Sequence, residues 1–388
     1  MRAPTDTPRG GAGVWLALGW VALVAFIDTF AIVPILAPYA KRVLSASDAQ
    51  AGLAISLYSL ANLLTNLYSG VLIDRYGRRL PMALSLWGAG GLIALYPLAR
   101  TPEALMVLRA LHGATSAVFV PALFALVGEY GKANRMGAMG STGALIGLVA
   151  LLAPPLGGIV VRDYGESTLF WGVAGLMAIA GFAALYLREL PYPPRAAEQV
   201  MPLELWRISA LRATFLLTLA ITFMMGVLLF ALPVRLEQAG YDAATRGRLF
   251  GLLALVAMVL MAVLRRAHLL GGTLLRAQIG VGTMALGALG LSFASTPLEM
   301  GVVAVVYGVG FGLTFPAVHV AAFEHAPSHR RGTSLAMLHA CYSLGYVLGP
   351  AAAGMAGAAG AGSVGALVGT ALLLGAVYTC SRASRCQA

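Results

Sequence analysis

Asp28 stands out first among the residues that can do chemistry, because it is the one carboxylate well inside a long apolar stretch of this 388-residue chain; Glu129 and Glu324 fall at the ends of theirs. Removing water from a carboxyl group favours its neutral form, whereas a neighbouring guanidinium favours the ionised one. An acid so placed can take up a proton and give it back. Arg109 is the one basic residue inside an apolar stretch. A guanidinium does not readily lose its charge, and a charge at such a position is costly enough to mark a functional candidate. Counted along helices at about 1.5 Å per residue, Asp28 lies ~15 Å and Arg109 ~9 Å from the outer ends of their segments. Those depths let the two meet, with Asp28 exchanging a proton and Arg109 tuning the exchange. The structural alternatives are a fixed ion pair, or for Arg109 a side chain reaching to the outer surface.

A second set of polar residues lies in stripes. Tyr58, Asn62, Thr65, Asn66 and Ser69 follow one another at steps of three and four, so they share one helical face. His339, Tyr342 and Tyr346 do the same farther on, and His112 and His319 sit within other apolar stretches. Such residues can line a route through the protein, or they can bond neighbouring helices to one another. A histidine among them can titrate near neutral pH or simply pack with one hydrogen bond. Phe223, Met224, Met225 and Phe230 can form an adaptable apolar wall for varied ligands, or serve as packing and lipid-facing residues.

The elements that must hold these side chains are membrane helices. The chain is 59% hydrophobic and 11% charged, against roughly 25% charged in a soluble domain. Its apolar residues recur in blocks of about 20, the length that crosses the hydrocarbon layer. Period-two alternation of the kind a membrane β-barrel needs is missing. Breaks at Pro, Gly and charge predict twelve helices near 14–38, 49–72, 81–99, 103–128, 136–160, 168–187, 213–234, 247–264, 273–294, 298–324, 332–358 and 362–380.

The net charge of +11 is not concentrated in one segment, which argues against nucleic acid as a partner, but punctuates the gaps between blocks. Eighteen of the 26 Lys and Arg residues fall in gaps on the side of the termini and seven on the other, with Arg109 inside a span. Positive residues stay in the cytoplasm, so both termini are expected there, in an inner membrane of bacterial type. Arg2 and Arg9 precede an apolar run too long for a signal peptide core, which reads as a retained first helix. Cys341, Cys380 and Cys386 have no metal-ligand spacing and are expected as reduced thiols.

The longest polar break, Arg188 to Arg212 with Pro191, Pro193 and Pro194, predicts a six-helix unit at 1–190, a linker at 191–210 and a second unit at 211–388. Trp206 to Ile208 can form a short amphipathic stretch at the membrane surface. An internal repeat supports the division: Arg135, Pro154 and Gly158 recur as Arg331, Pro350 and Gly354, always 196 residues on. Repeat-built transporters place substrate near the midplane between the repeats and rock one half against the other.

The gap after the second span reads Gly70-Val-Leu-Ile-Asp74-Arg75-Tyr-Gly77-Arg78-Arg79, which resembles the G-x-L-x-D-R-x-G-R-R signature of the major facilitator superfamily in full. Gly77 suits a tight turn with positive φ, and Asp74 suits a helix N-terminus. The resemblance implies a conformational latch at Gly70, Asp74, Arg75, Gly77, Arg78 and Arg79, with Asp74 approaching the start of span eleven near Arg331 to Ser334. The corresponding gap in the second half, Arg265-Arg266-Ala-His268-Leu-Leu-Gly-Gly272, lacks the acid. Arg109-Ala-Leu-His112-Gly113 is similar to the R-x-x-Q-G pattern of proton-coupled members, with His112 in the Gln position. Phe26-Ile-Asp28-Thr29 followed by Pro34, Pro38 and Tyr39 looks like the drug:proton antiporter pattern. Span five carries Gly140, Gly143, Gly147, Val149, Ala153, Pro154, Gly157 and Gly158, and two glycines of the antiporter motif are replaced. Pro154, Gly157, Gly158, Gly349 and Pro350 are the positions where spans five and eleven are expected to bend.

The resemblance thus implies an all-α membrane protein of twelve transmembrane helices in two pseudo-symmetric six-helix bundles, the major facilitator fold. The implied function is proton-coupled efflux of a small amphipathic molecule or metabolite by alternating access. Uptake symport, lipid or lysolipid translocation and a non-transporting scaffold stay open as alternatives. Protons and a small-molecule substrate are the expected partners, in the lipid bilayer, for a chain acting as a monomer. Tyr58, Asn62, Asn66, His112, Met224, His339, Tyr342 and Tyr346 are the cavity candidates. No G-x-x-x-x-G-K-[ST], G-x-S-x-G or H-E-x-x-H pattern occurs, so neither enzyme activity nor ATP as direct energy source is expected. No cofactor is expected beyond the proton gradient as energy source.

Overall fold

The computed structural model describes residues 11–189, 202–241, 243–264 and 272–385. Its long helices are α1 (Ala12–Val43), α2 (Asp48–Tyr76), α3 (Arg79–Ala94), α4 (Pro102–Tyr130), α5 (Arg135–Tyr164), α6 (Glu166–Tyr186), α7 (Ser209–Gln238), α8 (Ala243–Leu264), α9 (Thr273–Phe293), α10 (Pro297–Glu324) and the run Arg331–Arg385. That last run breaks at Gly357, whose φ of 73° is open to glycine without steric cost. The parts on either side, 331–356 and 358–385, are α11 and α12. Twelve helices and no strand are therefore present among the described residues.

Local chemistry places the helix starts. Ser47 and Gln50 form a reciprocal capping box on α2, and Thr296 and Glu299 another on α10. Thr101 and Asn134 cap α4 and α5. Each satisfies backbone N–H groups that the first helical turn leaves open.

Helices α1–α6 and α7–α12 gather into two groups that meet chiefly through α2 with α11, α5 with α8 and α10, and α4 with α11. The offset of 196 reappears in the architecture, since α5 begins at Arg135 and α11 at Arg331. Residues 191–201 of the expected linker lie outside the described residues, as do Leu190, Arg2, Arg9, Cys386 and the Arg265 to Gly271 part of the second loop. The chain enters the second half through one 3-10 turn, Pro202–Arg207, with Leu205 buried, Trp206 against Phe215 and Glu204 3.6 Å from Arg330.

Among the described residues ten helices are long and apolar enough to cross a membrane, and α8 is a shorter apolar one. Helix α2 misses that mark because of its stripe of Tyr, Asn, Thr and Ser. The exterior carries Leu16, Leu286, Phe293, Leu298 and Phe182, all more than 60% exposed. A soluble monomer does not show apolar surface on that scale, whereas hydrocarbon solvates it.

With lipid as solvent, helix association depends on close packing and small residues. A Cβ on Gly113 of α4 would strike the Tyr58 carbonyl of α2, and one on Gly349 of α11 would strike the Phe223 carbonyl of α7. Gly157 of α5 lies against Ala31 of α1, a Cβ there coming 3.2 Å from its carbonyl oxygen. Gly157 and Gly349 thus serve as contact surfaces, Gly158 has open space around it, and Pro154 and Pro350 lie inside runs that stay helical around them.

Candidate functional site

Helices α1, α2 and α4 and the 3-10 turn Tyr96–Leu98 that follows α3 bring one polar network together inside the first bundle. Asp28 and Arg109 are each 2% exposed and His112 is fully buried. Asp28 Oδ2 lies 3.2 Å from His112 Nε2, at an angle short of a well-aligned hydrogen bond. Its Oδ1 accepts from the N–H and hydroxyl of Thr29. On the other side of the ring, His112 Nδ1 is 2.7 Å from the Tyr96 hydroxyl. Arg109 donates through Nη1 to that same hydroxyl at 3.3 Å and through Nε to the Ala54 carbonyl at 3.2 Å, and its guanidinium stacks 4.4 Å over the Tyr58 ring.

Hydrogen-bond direction assigns the imidazole. A guanidinium only donates and a carboxylate only accepts. The arrangement that best pairs these groups therefore has the Tyr96 oxygen accepting from Arg109, its hydrogen turned to His112 Nδ1, and the ring hydrogen on Nε2, which faces Asp28. The acid and the arginine, expected to meet directly, are instead linked through His112 and Tyr96. His112, expected along a substrate cavity, is enclosed with the acid. The cause is rotational: three residues along α4 turn Arg109 and His112 toward nearly the same face, and the ring fills the gap that the guanidinium would have to bridge.

The second assembly lies at the terminal face, the end of the molecule where α1 begins and α12 ends. Asp74 at the end of α2 accepts from Gly332 N at 2.8 Å and from Thr333 N and Oγ1 at 2.7 Å each. A carboxylate thereby caps the positive end of α11 across the two halves. Arg78, fully buried, lies 2.9 Å from Glu129 and 4.0 Å from Asp74. Gly77 has φ 86°, and the N–H groups of Arg78 and Arg79 beyond it donate to Glu189 at the end of α6. Arg75 lies beside the Tyr76 ring. A second bridge joins the halves from Arg135 of α5 to Glu324 of α10 at 3.0 Å, and the guanidinium groups of Arg135 and Arg331 each lie over the Phe323 ring.

At Gly70 the two halves touch backbone to backbone, and a Cβ there would run into Thr333 and come 2.8 Å from Ala336. Gly70→Ala is expected to part α2 from α11 at a cost to the closed terminal face of about 1–3 kcal/mol, the usual range for overpacking. Spin labels on cysteines placed at exposed Lys132 and Ser328 would report the change as a longer distance between the halves.

The α2 stripe bonds more than it lines. Asn66 donates to Asn62, Asn62 donates to the Gly113 carbonyl, and Ser343 of α11 donates to Asn62 Oδ1 at 3.1 Å across the halves. His339, Tyr342 and Tyr346 form a ladder of rings on α11, which continues to His319 and Phe315 of α10 and to Phe124 of α4. Met224 is not on that surface. It is buried inside the second bundle, beside Gly369 of α12 and with its carbonyl accepting from Tyr307, because the tight α7 packing turns its face inward.

Sequence reasoning did not single out Tyr96, Glu189, Ser343 or Phe124. Ser343 carried a signal, since it lies four residues after His339 and on the same face. The others carried none, because their roles depend on which helices become neighbours.

The comparisons with known proteins agree with this architecture. The family model described as Major Facilitator Superfamily matches residues 18–350 and 275–381. The multidrug resistance protein MdtG of Escherichia coli (strain UMN026) is 26% identical over 320 residues, 79% of this chain and 77% of the relative. The protein of the same name from strain HS is 25% identical over 317 residues, with the same two coverages. Among solved structures, the human organic anion transporter MFSD10 (TETRAN) superposes with a TM-score of 0.78 at 19% identity, covering 96% of this chain and 100% of that one. With the family model spanning nearly all of it, this largely helical, apolar chain belongs to the major facilitator superfamily and is an integral membrane transporter of small molecules rather than an enzyme.

Proposed function

We propose that the chain is a proton-driven exporter of small amphipathic molecules, with both termini in the cytoplasm and the proton gradient as its energy source in place of any bound cofactor. The observation that carries this reading is the enclosed chain Asp28, His112, Tyr96, Arg109. It sets one protonatable acid at mid-helix depth, away from lipid, with an oriented hydrogen donor on one side. The small-molecule role of MdtG indicated by its name, multidrug resistance, supports an amphipathic substrate. Asp74 and Arg78 act as the latch that holds the cytoplasmic face closed, so this conformation faces outward. The halves then alternate about the α2, α11 and α5, α8 seams, and proton exchange at Asp28 accompanies each passage.

The test begins with a thermal-shift screen of the purified protein against drugs, sugars, organic acids and lysolipids, because a ligand stabilises the state it binds. The strongest stabiliser is then followed in inside-out vesicles. Accumulation driven by an acidic lumen is the expected result. Accumulation that requires an acidic exterior would mean symport, and accumulation indifferent to the gradient would remove proton coupling altogether.

A further inference from the structure

The second bundle holds a polar cluster that neither the latch nor the Asp28 network uses. His319 of α10 donates from Nδ1 to the Phe315 carbonyl at 2.8 Å. A carbonyl only accepts, so Nδ1 carries the ring hydrogen and Nε2 is left as a bare lone pair, buried and without a hydrogen-bond partner. The His339 ring of α11 lies 5.4 Å away, centroid to centroid, and the Tyr342 ring 6.4 Å from His319 and 5.9 Å from His339. His339 Nε2 and the Tyr342 hydroxyl are likewise buried and unpartnered. Three orphan polar atoms on adjoining rings are costly in an apolar interior. A hydrated proton is the smallest donor that meets all of them.

The surroundings leave these groups to each other. Phe315, Tyr342 and Tyr346 flank the rings within the bundle, and Gly143 of α5 packs on Phe315. From α2 come the neutral Asn62 and Asn66, and from α7 Thr222, turned toward the Cys341 carbonyl. On α9, Arg276 lies by Met136 and Gly312. The carboxylates nearer the terminal face are already engaged: Asp74 with Thr333, Glu129 with Arg78 and Glu324 with Arg135. From the first half Phe124 covers the pair, its ring 4.0 Å from His319 and tilted 33° to it, and 5.7 Å from His339. Phe124 and His319 each lie about one and a half helical turns from the terminal ends of α4 and α10.

We propose that His319, His339 and Tyr342 form a second proton-accepting site, separate from Asp28, that fills when α4 withdraws from α10 and α11. Access requires Phe124 to leave, so the site is closed when the terminal face is closed and open when it parts. By linkage, a proton bound there favours the parted state. Acid on that face then loosens the closure whatever the role of Asp28.

The Lys132 and Ser328 spin-label pair tests this in protein whose Cys341, Cys380 and Cys386 are replaced by alanine. Between pH 8 and pH 5 the long-distance component is expected to grow, by up to about tenfold per pH unit, the limiting slope for one proton. His319→Gln with His339→Gln should flatten that growth, and Asp28→Asn should leave it in place. A lightly buffered proton-uptake measurement over the same pH step gives a second readout, the double variant taking up fewer protons than its parent. If the double variant fails to fold, His339→Asn alone serves in both measurements. An unchanged distance response together with unchanged uptake in the folded variant would overturn the site. Loss of the response in Asp28→Asn alone would assign it to the first network instead.

Discussion

Replacing Asp28 by asparagine is expected to abolish accumulation driven by a pH gradient while leaving downhill exchange of the same ligand measurable. Asparagine keeps the size of the side chain and an acceptor oxygen for Thr29, so the contacts within α1 survive. What it loses is the proton and the charge. The change also puts an amide in front of His112 Nε2, whose hydrogen points toward it because Tyr96 occupies Nδ1. His112→Gln is the informative partner variant. A glutamine amide can accept from Tyr96 and donate to Asp28, so gradient-driven transport should persist with an altered dependence on pH. Vesicle accumulation in both variants, measured across pH 6 to 8, separates the outcomes. An Asp28→Asn protein that still follows the gradient sinks the coupling role of the acid.

Asp74→Ala is expected to move the conformational equilibrium as strongly as any single substitution in the chain. The wild-type carboxylate accepts three hydrogen bonds from the first turn of α11. Hydrogen bonds to a charged group contribute about 1.5–3 kcal/mol each, though not additively. Water entering the parted face recovers part of the loss, leaving a net bias of about 2–4 kcal/mol, or roughly 30-fold to 1000-fold in the ratio of closed to parted protein. Asp74→Asn should fall between the two, since it keeps one acceptor and turns an amide hydrogen toward a backbone donor. The spin-label distance at neutral pH measures the shift, and an unchanged distribution in Asp74→Ala would show that the other contacts between the halves, the Arg135 to Glu324 bridge among them, suffice to hold the face closed.

How much of this was legible in the residues varies with what each inference depends on. The helices and their number follow from block length and from breaks at Pro, Gly and charge, which are local properties. The last pair, divided in the sequence between 358 and 362, breaks in the structure beside that gap, at Gly357. The repeat offset of 196 was legible because it needs nothing but Arg, Pro and Gly in order. Positions within the candidate site were legible for the same reason: an Asp or Arg in an apolar block is conspicuous alone. Their partners were not. Whether Asp28 faces Arg109 or His112 depends on the rotation of α4 against α1, which the glycine contact at Gly113 and Tyr58 helps set. Glu189 could not be matched to the latch because its two acceptor oxygens meet backbone N–H groups, which every residue but proline offers. Met224 shows the converse failure. Its side chain suits a ligand wall, but its helix face is taken by α12.

The capped helix α11 also packs closely within its own bundle. Gly345 and Gly349 lie against Thr222, Phe223 and Gly226 of α7 with no room for a Cβ between the backbones. A helix held that way has little freedom to slide or swivel by itself. Force applied at its first turn is therefore passed to its neighbours rather than absorbed. Three hydrogen bonds at Gly332 and Thr333 act at the end of a stiff lever, and a small displacement at the terminal face becomes a larger sweep at the far end of the bundle. Stiffness in α11 is then a functional property in its own right. Loosening the seam by enlarging Thr222 or Gly349 would uncouple the lever from the load, leaving the latch intact in chemistry but without mechanical effect.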